Sequence, residues 1–198
     1  MINIKNLSFK YNNSEVNVLE NVNFVVNSGI WLLEGENGSG KSTFLKIIND
    51  TYKDLGTLSE ESELLVEGKK ILLDNTTTLP LRLKEKDIAK YLLKINDINI
   101  IDEYIPIYYD RDLITYSTGE LKLAILNILS YLKVDLLLMD EYISNIHEKN
   151  IGKVMDMLQK IADKGTIIIL SSNEVDIKNR FKNKIKIQNK ALCVNRHG

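Results

Sequence analysis

The sequence has little cysteine, little net charge and no long apolar run, and each shortage excludes a class of protein. Cys193 is the one cysteine in 198 residues, so an internal disulfide is excluded, and no Cys or His cluster has the spacing of a zinc site. A reducing compartment fits such a chain best. Its 26 basic and 27 acidic side chains give a formal net charge of -1, which argues against nonspecific nucleic-acid binding.

The apolar runs are short. The strongest, Leu136 to Met139 and Ile167 to Leu170, fall well below the roughly 20 residues that a membrane-spanning helix needs. Residues 1–10 alternate apolar and polar side chains and lack the basic and long apolar segments of a secretion signal. We therefore expect no direct insertion into a bilayer, and any membrane role has to come through a partner.

The first 50 residues predict a small sheet followed by a strand, a loop and a helix. Residues 2–9 and 22–26 alternate with a period of two, which is typical of paired antiparallel strands. Residues 30–33 form a short apolar run that suits a buried strand, and a glycine-rich turn separates them from a helical pattern over 41–49.

Strand-like and helical segments alternate over most of the remaining chain. Strands are predicted at 71–73, 136–139 and 166–170, helices at 83–98, 118–132 and 149–162, and edge strands at 185–187 and 191–194. Because alternation of this kind produces a parallel sheet, we predict an α/β fold. A single domain over 1–198 is expected, with a helical lobe inserted at about 76–130.

Nine consecutive residues, of which the first eight match the pattern G-x-x-x-x-G-K-[ST], lie between a predicted strand and a predicted helix, which is the context that a phosphate-binding loop needs. They are Gly35, Glu36, Asn37, Gly38, Ser39, Gly40, Lys41, Ser42 and Thr43. The glycines allow backbone N–H groups to face a phosphate at the N-terminus of the helix. Lys41 is expected to reach the β and γ phosphates, and Ser42 to bind Mg²⁺ together with phosphate oxygens and water.

Two acids, Asp140 and Glu141, follow the apolar strand at 136–139. They should lie at the carboxyl edge of a parallel sheet, where such folds bind ligands. Asp140 suits the Mg²⁺ site through water, and Glu141 suits the task of polarising the attacking water. Taken alone, the same pattern also fits a strand that ends in solvated acids.

Ser117 and Gly119 occur in the sequence Tyr-Ser-Thr-Gly-Glu, residues 116–120, just before an amphipathic helix. By itself, such a turn is often no more than a helix N-cap. Its order with the other motifs, however, resembles the signature motif of ATP-binding cassette (ABC) proteins, usually Leu-Ser-Gly-Gly-Gln. This resemblance implies that Ser117 and Gly119 contact the γ-phosphate of ATP held by an opposite subunit, and that Tyr11 stacks on adenine.

The chain departs from the family pattern at several positions that link hydrolysis to movement. Asn75 stands where the family has a glutamine that helps to hold Mg²⁺, and Asn173 stands where it has a catalytic histidine. An amide hydrogen-bonds a phosphate but does not titrate near neutral pH. His147 and Tyr142 occupy positions that usually hold Asp and Pro. The expected result is intact ATP binding with slow or partner-dependent hydrolysis.

The resemblance implies a P-loop NTPase fold with a mainly parallel central sheet, an N-terminal antiparallel β subdomain and an inserted α-helical signature subdomain. It further implies an ATP-hydrolysing subunit that forms a homo- or heterodimer and docks on an integral membrane transporter subunit from the cytoplasmic side. By analogy with the family, small size favours export. The alternatives are a soluble ABC ATPase of an assembly or regulatory complex, and a nucleotide sensor with weak hydrolysis.

Overall fold

The computed structural model describes residues 1–98, 104–108, 111–144 and 146–195. The chain divides into two compact units. The first comprises Met1–Asn75, Val134–Ser144 and Gly165–Gly198, and the second comprises Thr76–Lys133 and Asn145–Lys164. The predicted single domain over 1–198, with a lobe at about 76–130, stays a prediction.

The first unit contains ten strands and two helices within the described residues. In chain order they are β1 (Ile2–Tyr11), β2 (Asn17–Val26), β3 (Ile30–Glu34), α1 (Lys41–Ile48), β4 (Gly56–Leu58), β5 (Glu63–Val66), β6 (Lys70–Leu73), β7 (Leu136–Met139), β8 (Ile167–Ser171), α5 (Val175–Lys178), β9 (Asn183–Gln188) and β10 (Ala191–Asn195). The second unit contains α2 (Glu85–Ile95), α3 (Thr118–Tyr131) and α4 (Glu148–Ala162).

An antiparallel sheet forms from β1, β2, β4 and β5, with β1 pairing with each of the other three. Ile2, Ile4, Leu7 and Phe9 of β1 are buried, and an irregularity in the pairing between Ile4 and Leu7 shifts the alternation by one residue. The predicted N-terminal antiparallel sheet is therefore confirmed. The sequence pattern missed β4 and β5, because β4 is only three residues long and β5 is partly exposed.

The second sheet has the strand order β10-β9-β3-β8-β7-β6 and is parallel except for the pair of β9 and β10. This confirms the predicted α/β fold with a mainly parallel central sheet. The carboxyl ends of β3, β7 and β8 lead into Gly35, Asp140 and Ser172, so the motif residues start from neighbouring strands. The residues of β7 and β8 are buried throughout.

The assignment of Ile185–Ile187 to an edge strand was wrong. This segment belongs to β9, which lies between β10 and β3, and Ile185 and Ile187 are buried in the apolar core of the unit. Of the two segments predicted as edge strands, the one that forms β10 does lie at an edge of this sheet. The short helix α5 was not predicted either.

In the part of the second unit that the structure describes, helices are joined by turns and by an isolated bridge between Lys84 and Asp112. Helix α3 begins at Thr118, as the signature-like turn predicts, and α2 is shorter at both ends than the predicted 83–98. None of the helices in the described ranges has the length and apolar character that crossing a membrane requires.

Candidate active site

The loop between β3 and α1 has the conformation of an anion-binding loop. Gly38 and Gly40 have φ values of 79° and 103°, in the left-handed region that favours glycine. Helix α1 begins directly after Gly40, and no side chain caps its N-terminus. Its first-turn amides are therefore available to an anion, which the helix dipole also favours.

Lys41 is a buried cation without an anionic partner. Its side chain is only 7% exposed, and its Nζ donates hydrogen bonds to the carbonyl oxygens of Gly35 at 2.8 Å and Glu36 at 3.0 Å. Among the described residues, no carboxylate forms an ion pair with this ammonium group. Because burying an uncompensated charge is costly, the site fits an anionic group such as a phosphate.

A cavity of about 520 Å³ opens beside this loop. It is lined by Tyr11, Val18, Asn37, Gly38, Gly40, Lys41, Ser42, Thr43, Glu141 and Asn173. All of these except Val18 are among the residues that the sequence nominates, and the structure therefore brings them together. Val18 was missed because a single valine at the start of a strand carries no functional signal.

Asp140 and Glu141 follow β7 and are fixed by β8. The Ser171 hydroxyl donates to Asp140 Oδ1 at 2.9 Å and accepts a hydrogen bond from the backbone N–H of Glu141 at 2.9 Å. Glu141 has a φ of 50°, a left-handed conformation that costs a non-glycine residue about 1–3 kcal/mol. The fold holds this strained residue at the cavity, which is common at functional sites.

Asn173 connects the two halves of the cavity. Its Nδ2 donates to Glu141 Oε1 at 2.6 Å and to Asn37 Oδ1 at 3.2 Å. Asn173 therefore orients the carboxylate of Glu141 toward the phosphate loop. This contact agrees with the position that the sequence assigns to Asn173, and its catalytic role stays a prediction.

Tyr11 lies on the other side of the cavity. Its hydroxyl is 2.6 Å from Thr43 Oγ1, and its ring packs edge-on against Phe9 with centroids 5.3 Å apart. The hydroxyl of Thr43 therefore fixes the direction of an aromatic ring that borders the cavity. Stacking of this ring on adenine stays a prediction.

Three loop residues support the site without lining the cavity. The carbonyls of Gly35 and Glu36 accept from Lys41, and the Ser39 amide donates to Glu36 O at 3.1 Å. A Cβ at Gly35 would lie 2.5 Å from Ser39 Oγ and 3.1 Å from the Ile187 carbonyl oxygen, so a larger residue there would have to displace the Ser39 side chain. Asn75 lies in an exposed turn after β6 and is not among the lining residues, so the structure does not bring it into the cavity.

The side chains of this site could hold Mg²⁺ only if a nucleotide and water supply the remaining ligands. Within the described ranges, no group of three His, Cys, Asp or Glu side chains could hold a metal ion. Ser42 and Asp140 provide hydroxyl and carboxylate oxygens, the ligand type that Mg²⁺ prefers. Two such ligands match the usual mode of Mg²⁺ binding together with phosphates.

In the second unit, Ser117 is the N-cap of α3 and forms a capping box with Glu120. Ser117 Oγ accepts from the Glu120 amide at 3.3 Å, and the Ser117 amide donates to Glu120 Oε2 at 2.8 Å. Hydrogen bonds from Arg111 and from the Ser117 amide lower the pKa of Glu120 to about 2. Gly119 is the second residue of α3, where its amide belongs to the first turn.

Residues 19–144 match the family model described as ABC transporter. The phosphonates import ATP-binding protein PhnC of Fusobacterium nucleatum is 27% identical over 93% of this chain and 87% of its own length. The zinc import ATP-binding protein ZnuC of Ehrlichia canis is 30% identical over 76% of this chain and 64% of its own length. The energy-coupling factor transporter ATP-binding protein EcfA1 of Streptococcus mutans is 39% identical, over 38% of this chain and only 26% of its own length.

Solved structures share the fold over the whole chain. A dimeric, post-hydrolysis ATP-binding cassette, MJ0796 bound to ADP and Pi, aligns with a TM-score of 0.72 and 18% identity over 100% of both chains. A nucleotide-free cassette from an ABC transporter aligns with a TM-score of 0.70 and 19% identity, over 100% of this chain and 92% of its own. Since the family model matches more than half of the sequence, the chain belongs to the ABC transporter family, as an ATP-binding cassette.

Proposed function

We propose that this cassette binds and hydrolyses Mg-ATP to drive an ABC transporter through a separate membrane subunit. The observation that carries the proposal is that two residues line one cavity: the buried cation Lys41, and Glu141, whose carboxylate accepts a hydrogen bond from Asn173. The first group suits phosphate binding, and the second suits activation of water. Lys41 and Glu141 lie within residues 19–144, which match the family model, and Asn173 lies outside that match.

Several lining residues, together with Asp140 beside the cavity, have separate roles in this proposal. Gly38, Gly40 and the first turn of α1 bind phosphate oxygens through backbone amides, and Lys41 neutralises the terminal phosphates. Ser42 and Asp140 hold Mg²⁺, which, when bound, neutralises charge on the phosphates. Tyr11 provides a flat ring for the base.

Hydrolysis requires that Glu141 orient a water molecule and accept its proton. Asn173 occupies Glu141 Oε1 with a 2.6 Å hydrogen bond, which leaves Oε2 to face the attacking water. Because the amide of Asn173 neither gains nor loses a proton, it orients Glu141 without assisting proton transfer. We therefore propose slow turnover that a partner accelerates. The same contact favours the second candidate function, a nucleotide sensor that binds ATP and hydrolyses little.

The proposal includes a pair of cassettes closing on two ATP molecules, with Ser117 and Gly119 of one facing the nucleotide of the other. The dimeric form of the similar cassette MJ0796 supports such a pair. The lobe at about 76–116 would receive a membrane subunit, which would place the cassette at the cytoplasmic face of the plasma membrane. In this proposal, Asn75 and His147 help to couple ATP hydrolysis to movement of the membrane subunit.

The direction of transport that we propose is import. The sequence favoured export through small size alone, and the relatives give export no support, since PhnC and ZnuC are both named as import ATP-binding proteins. Size is a weak guide because direction is a property of the membrane subunit. Uptake of the transported substrate is compared between cells that lack this chain and the same cells after the chain is restored. Restored uptake indicates import, and reduced uptake indicates export.

The test of the core proposal separates binding from hydrolysis. Mg-ATP binding by the purified chain is measured by calorimetry, and phosphate release is measured with and without the membrane subunit. Lys41→Ala should abolish binding, whereas Glu141→Gln should retain binding and lose hydrolysis. Absence of Mg-ATP binding by the parent chain would refute the proposal. Binding without hydrolysis, even with the membrane subunit present, would favour the sensor.

A further inference from the structure

Glu85 is a buried carboxylate that takes no part in the cavity described above. It is the first residue of α2 and is only 1% exposed. Among the described residues, no Lys or Arg forms an ion pair with it. A buried carboxylate without a counter-ion is costly unless hydrogen bonds satisfy it, so its surroundings should supply donors.

Four donors surround the two oxygens of Glu85. Oε1 accepts from the Tyr104 hydroxyl at 2.5 Å, the Ile107 amide at 3.0 Å and the Asn127 side-chain amide at 3.0 Å, and Oε2 accepts from the Tyr116 hydroxyl at 3.2 Å. Burial, with the nearby charge of Glu85, raises the pKa of Tyr104, so this hydroxyl keeps its proton and remains a donor. The carboxylate thus links α2 to residues 104–108, to Tyr116 and to α3, all within the second unit.

Tyr116 links the hydrogen-bond network of Glu85 to the signature-like turn, because Tyr116 directly precedes Ser117. Its ring packs edge-on against Tyr108 with centroids 5.2 Å apart, and the Arg111 guanidinium lies 5.0 Å from its centroid. Arg111 in turn donates to both oxygens of Glu120, at 3.2 and 3.3 Å, and to the Thr115 carbonyl at 2.7 Å. The backbone on both sides of Tyr116 is therefore held.

The same contacts orient the hydroxyl of Ser117. Its oxygen accepts from the Glu120 amide, and a hydroxyl that accepts in this way still has its own hydrogen to donate. The first-turn amides of α3, including that of Gly119, point along the same helix end. This turn can act as a phosphate-binding element only while its direction is fixed.

We propose that Glu85 is a positioning residue that holds Tyr116, and through it the Ser117–Gly119 turn, in the orientation that receives the γ-phosphate of the opposite cassette. The inference rests on the proposed pairing of cassettes around ATP. It adds a residue from a different helix that the signature motif does not include. Positioning in this network depends on hydrogen bonds and not on the charge of Glu85.

The test uses the full chain carrying Glu141→Gln, so that bound Mg-ATP persists. In this background, Tyr116→Phe removes the hydroxyl bonded to Glu85 and keeps the ring against Tyr108. The matched control is Tyr131→Phe, which removes a hydroxyl from another tyrosine of the same unit that bonds the Ile105 amide and not Glu85. Calorimetry measures Mg-ATP binding to the single chain, and analytical ultracentrifugation measures ATP-dependent association.

Tyr116→Phe should leave Mg-ATP binding within about twofold and weaken association by up to about tenfold, the order expected for one hydrogen bond. Hydrogen exchange should accelerate at the amides of residues 117–121. Tyr131→Phe should change neither property. The proposal would be overturned if Tyr116→Phe and Tyr131→Phe associate equally well. It would also be overturned if the association of each variant falls only as far as its melting temperature falls.

A second pair of variants separates hydrogen bonding from charge. In Glu85→Gln, the new Nε2 can donate to the Tyr116 hydroxyl, which then donates to the Tyr108 carbonyl that lies 3.2 Å away. Association should therefore stay near the parent value, whereas Glu85→Ala should lower it. Equal losses in Gln and Ala variants that both remain folded would contradict positioning. A parent chain that binds Mg-ATP but never associates would instead refute the proposed pairing, and this inference with it.

Discussion

The hydroxyl of Ser171 donates a 2.9 Å hydrogen bond to the carboxylate of Asp140. Ser171 is fully buried at the end of β8, and its oxygen also accepts from the Glu141 amide. One side chain therefore fixes both the proposed Mg²⁺ ligand and the backbone of the proposed general base. No motif in the sequence assigns a role to Ser171.

Ser171→Ala should lower Mg-dependent ATP hydrolysis by roughly ten- to a hundredfold, because the loss of a hydrogen bond to a charged group costs on the order of 1.5–3 kcal/mol. Asp140 would then be free to turn away from the metal position. The magnesium concentration that gives half-maximal hydrolysis should rise as well. Steady-state phosphate release over a magnesium titration checks both effects.

Ser172→Ala is the matched control, since it removes a similarly buried hydroxyl that accepts from the Glu174 amide and has no hydrogen bond to Asp140 or Glu141. It should leave the magnesium dependence unchanged. Ser171→Thr keeps the hydroxyl and should retain most of the activity. Equal magnesium titration curves for Ser171→Ala and Ser172→Ala would contradict the assigned role of Ser171.

The 2.6 Å contact between Tyr11 and Thr43 should be measurable as a coupling energy. Tyr11→Phe and Thr43→Val each remove the same hydrogen bond and keep most of the side-chain volume. If that bond orients the ring for the base, ATP binding of the two single variants and the double variant should give a coupling of about 0.5–1.5 kcal/mol. Calorimetry supplies the four binding constants.

The coupling should depend on the base. A ligand that lacks the base, such as inorganic tripolyphosphate, should bind the four proteins with no coupling, because only the phosphate loop holds it. Equal coupling for ATP and for tripolyphosphate would show that Tyr11 acts on the phosphate loop and not on the base.

The position of Asp140 and Glu141 could be predicted from sequence because an apolar run followed by acids places them at the carboxyl edge of a parallel sheet. The hydrogen-bond partner of Asp140, Ser171, could not be predicted from sequence. Ser171 is 31 residues away in sequence, and it reaches Asp140 only because β7 and β8 are neighbours. Strand order is a long-range property that local periodicity does not contain.

The error at Ile185–Ile187 has the same origin. Local alternation of Ile with Lys predicts a strand with one exposed face, which is typical of an edge. In the structure, β9 pairs with β3, and Lys184 forms a 3.1 Å ion pair with Glu34, 150 residues away in sequence. A charge that is satisfied by a distant partner makes an interior strand resemble an edge strand in sequence.

The two left-handed glycines of the phosphate loop should differ in their tolerance of alanine. At Gly38 a Cβ meets no atom within 4 Å, so Gly38→Ala should cost only the backbone strain of about 1–2 kcal/mol. At Gly40 a Cβ would lie 3.0 Å from Val18 Cγ1 and 3.3 Å from Leu19 Cδ2. Gly40→Ala should therefore add about 1–3 kcal/mol of overpacking to the strain.

Urea unfolding monitored by the fluorescence of Trp31 gives the free energy of unfolding of each glycine variant. Gly152→Ala is a useful reference, because this glycine lies within α4 and its Cβ also meets nothing within 4 Å. It should stabilise the chain by about 0.5–1 kcal/mol through helix propensity. Equal destabilisation by Gly38→Ala and Gly40→Ala would show that the contact with Val18 and Leu19 relaxes without cost.

Glu120 should make the stability of the chain depend on pH in the acid range. Its pKa falls from an ordinary value of 4.5 to about 2 in the folded chain, because Arg111 and the Ser117 amide bond its carboxylate. A carboxylate whose pKa is lower in the folded state stabilises that state fully above the unfolded pKa. This contribution is lost as pH falls from about 4.5 to about 2, where the folded state also binds the proton.

Glu120→Gln removes the titration and leaves the other acids in place. The difference in the free energy of unfolding between the parent and this variant should be largest above pH about 5 and should shrink as pH falls. Urea unfolding at several pH values down to about 3 measures it. A difference that stays constant over this range would mean that the pair of Arg111 with Glu120 also persists in the unfolded chain, or does not form in the folded one.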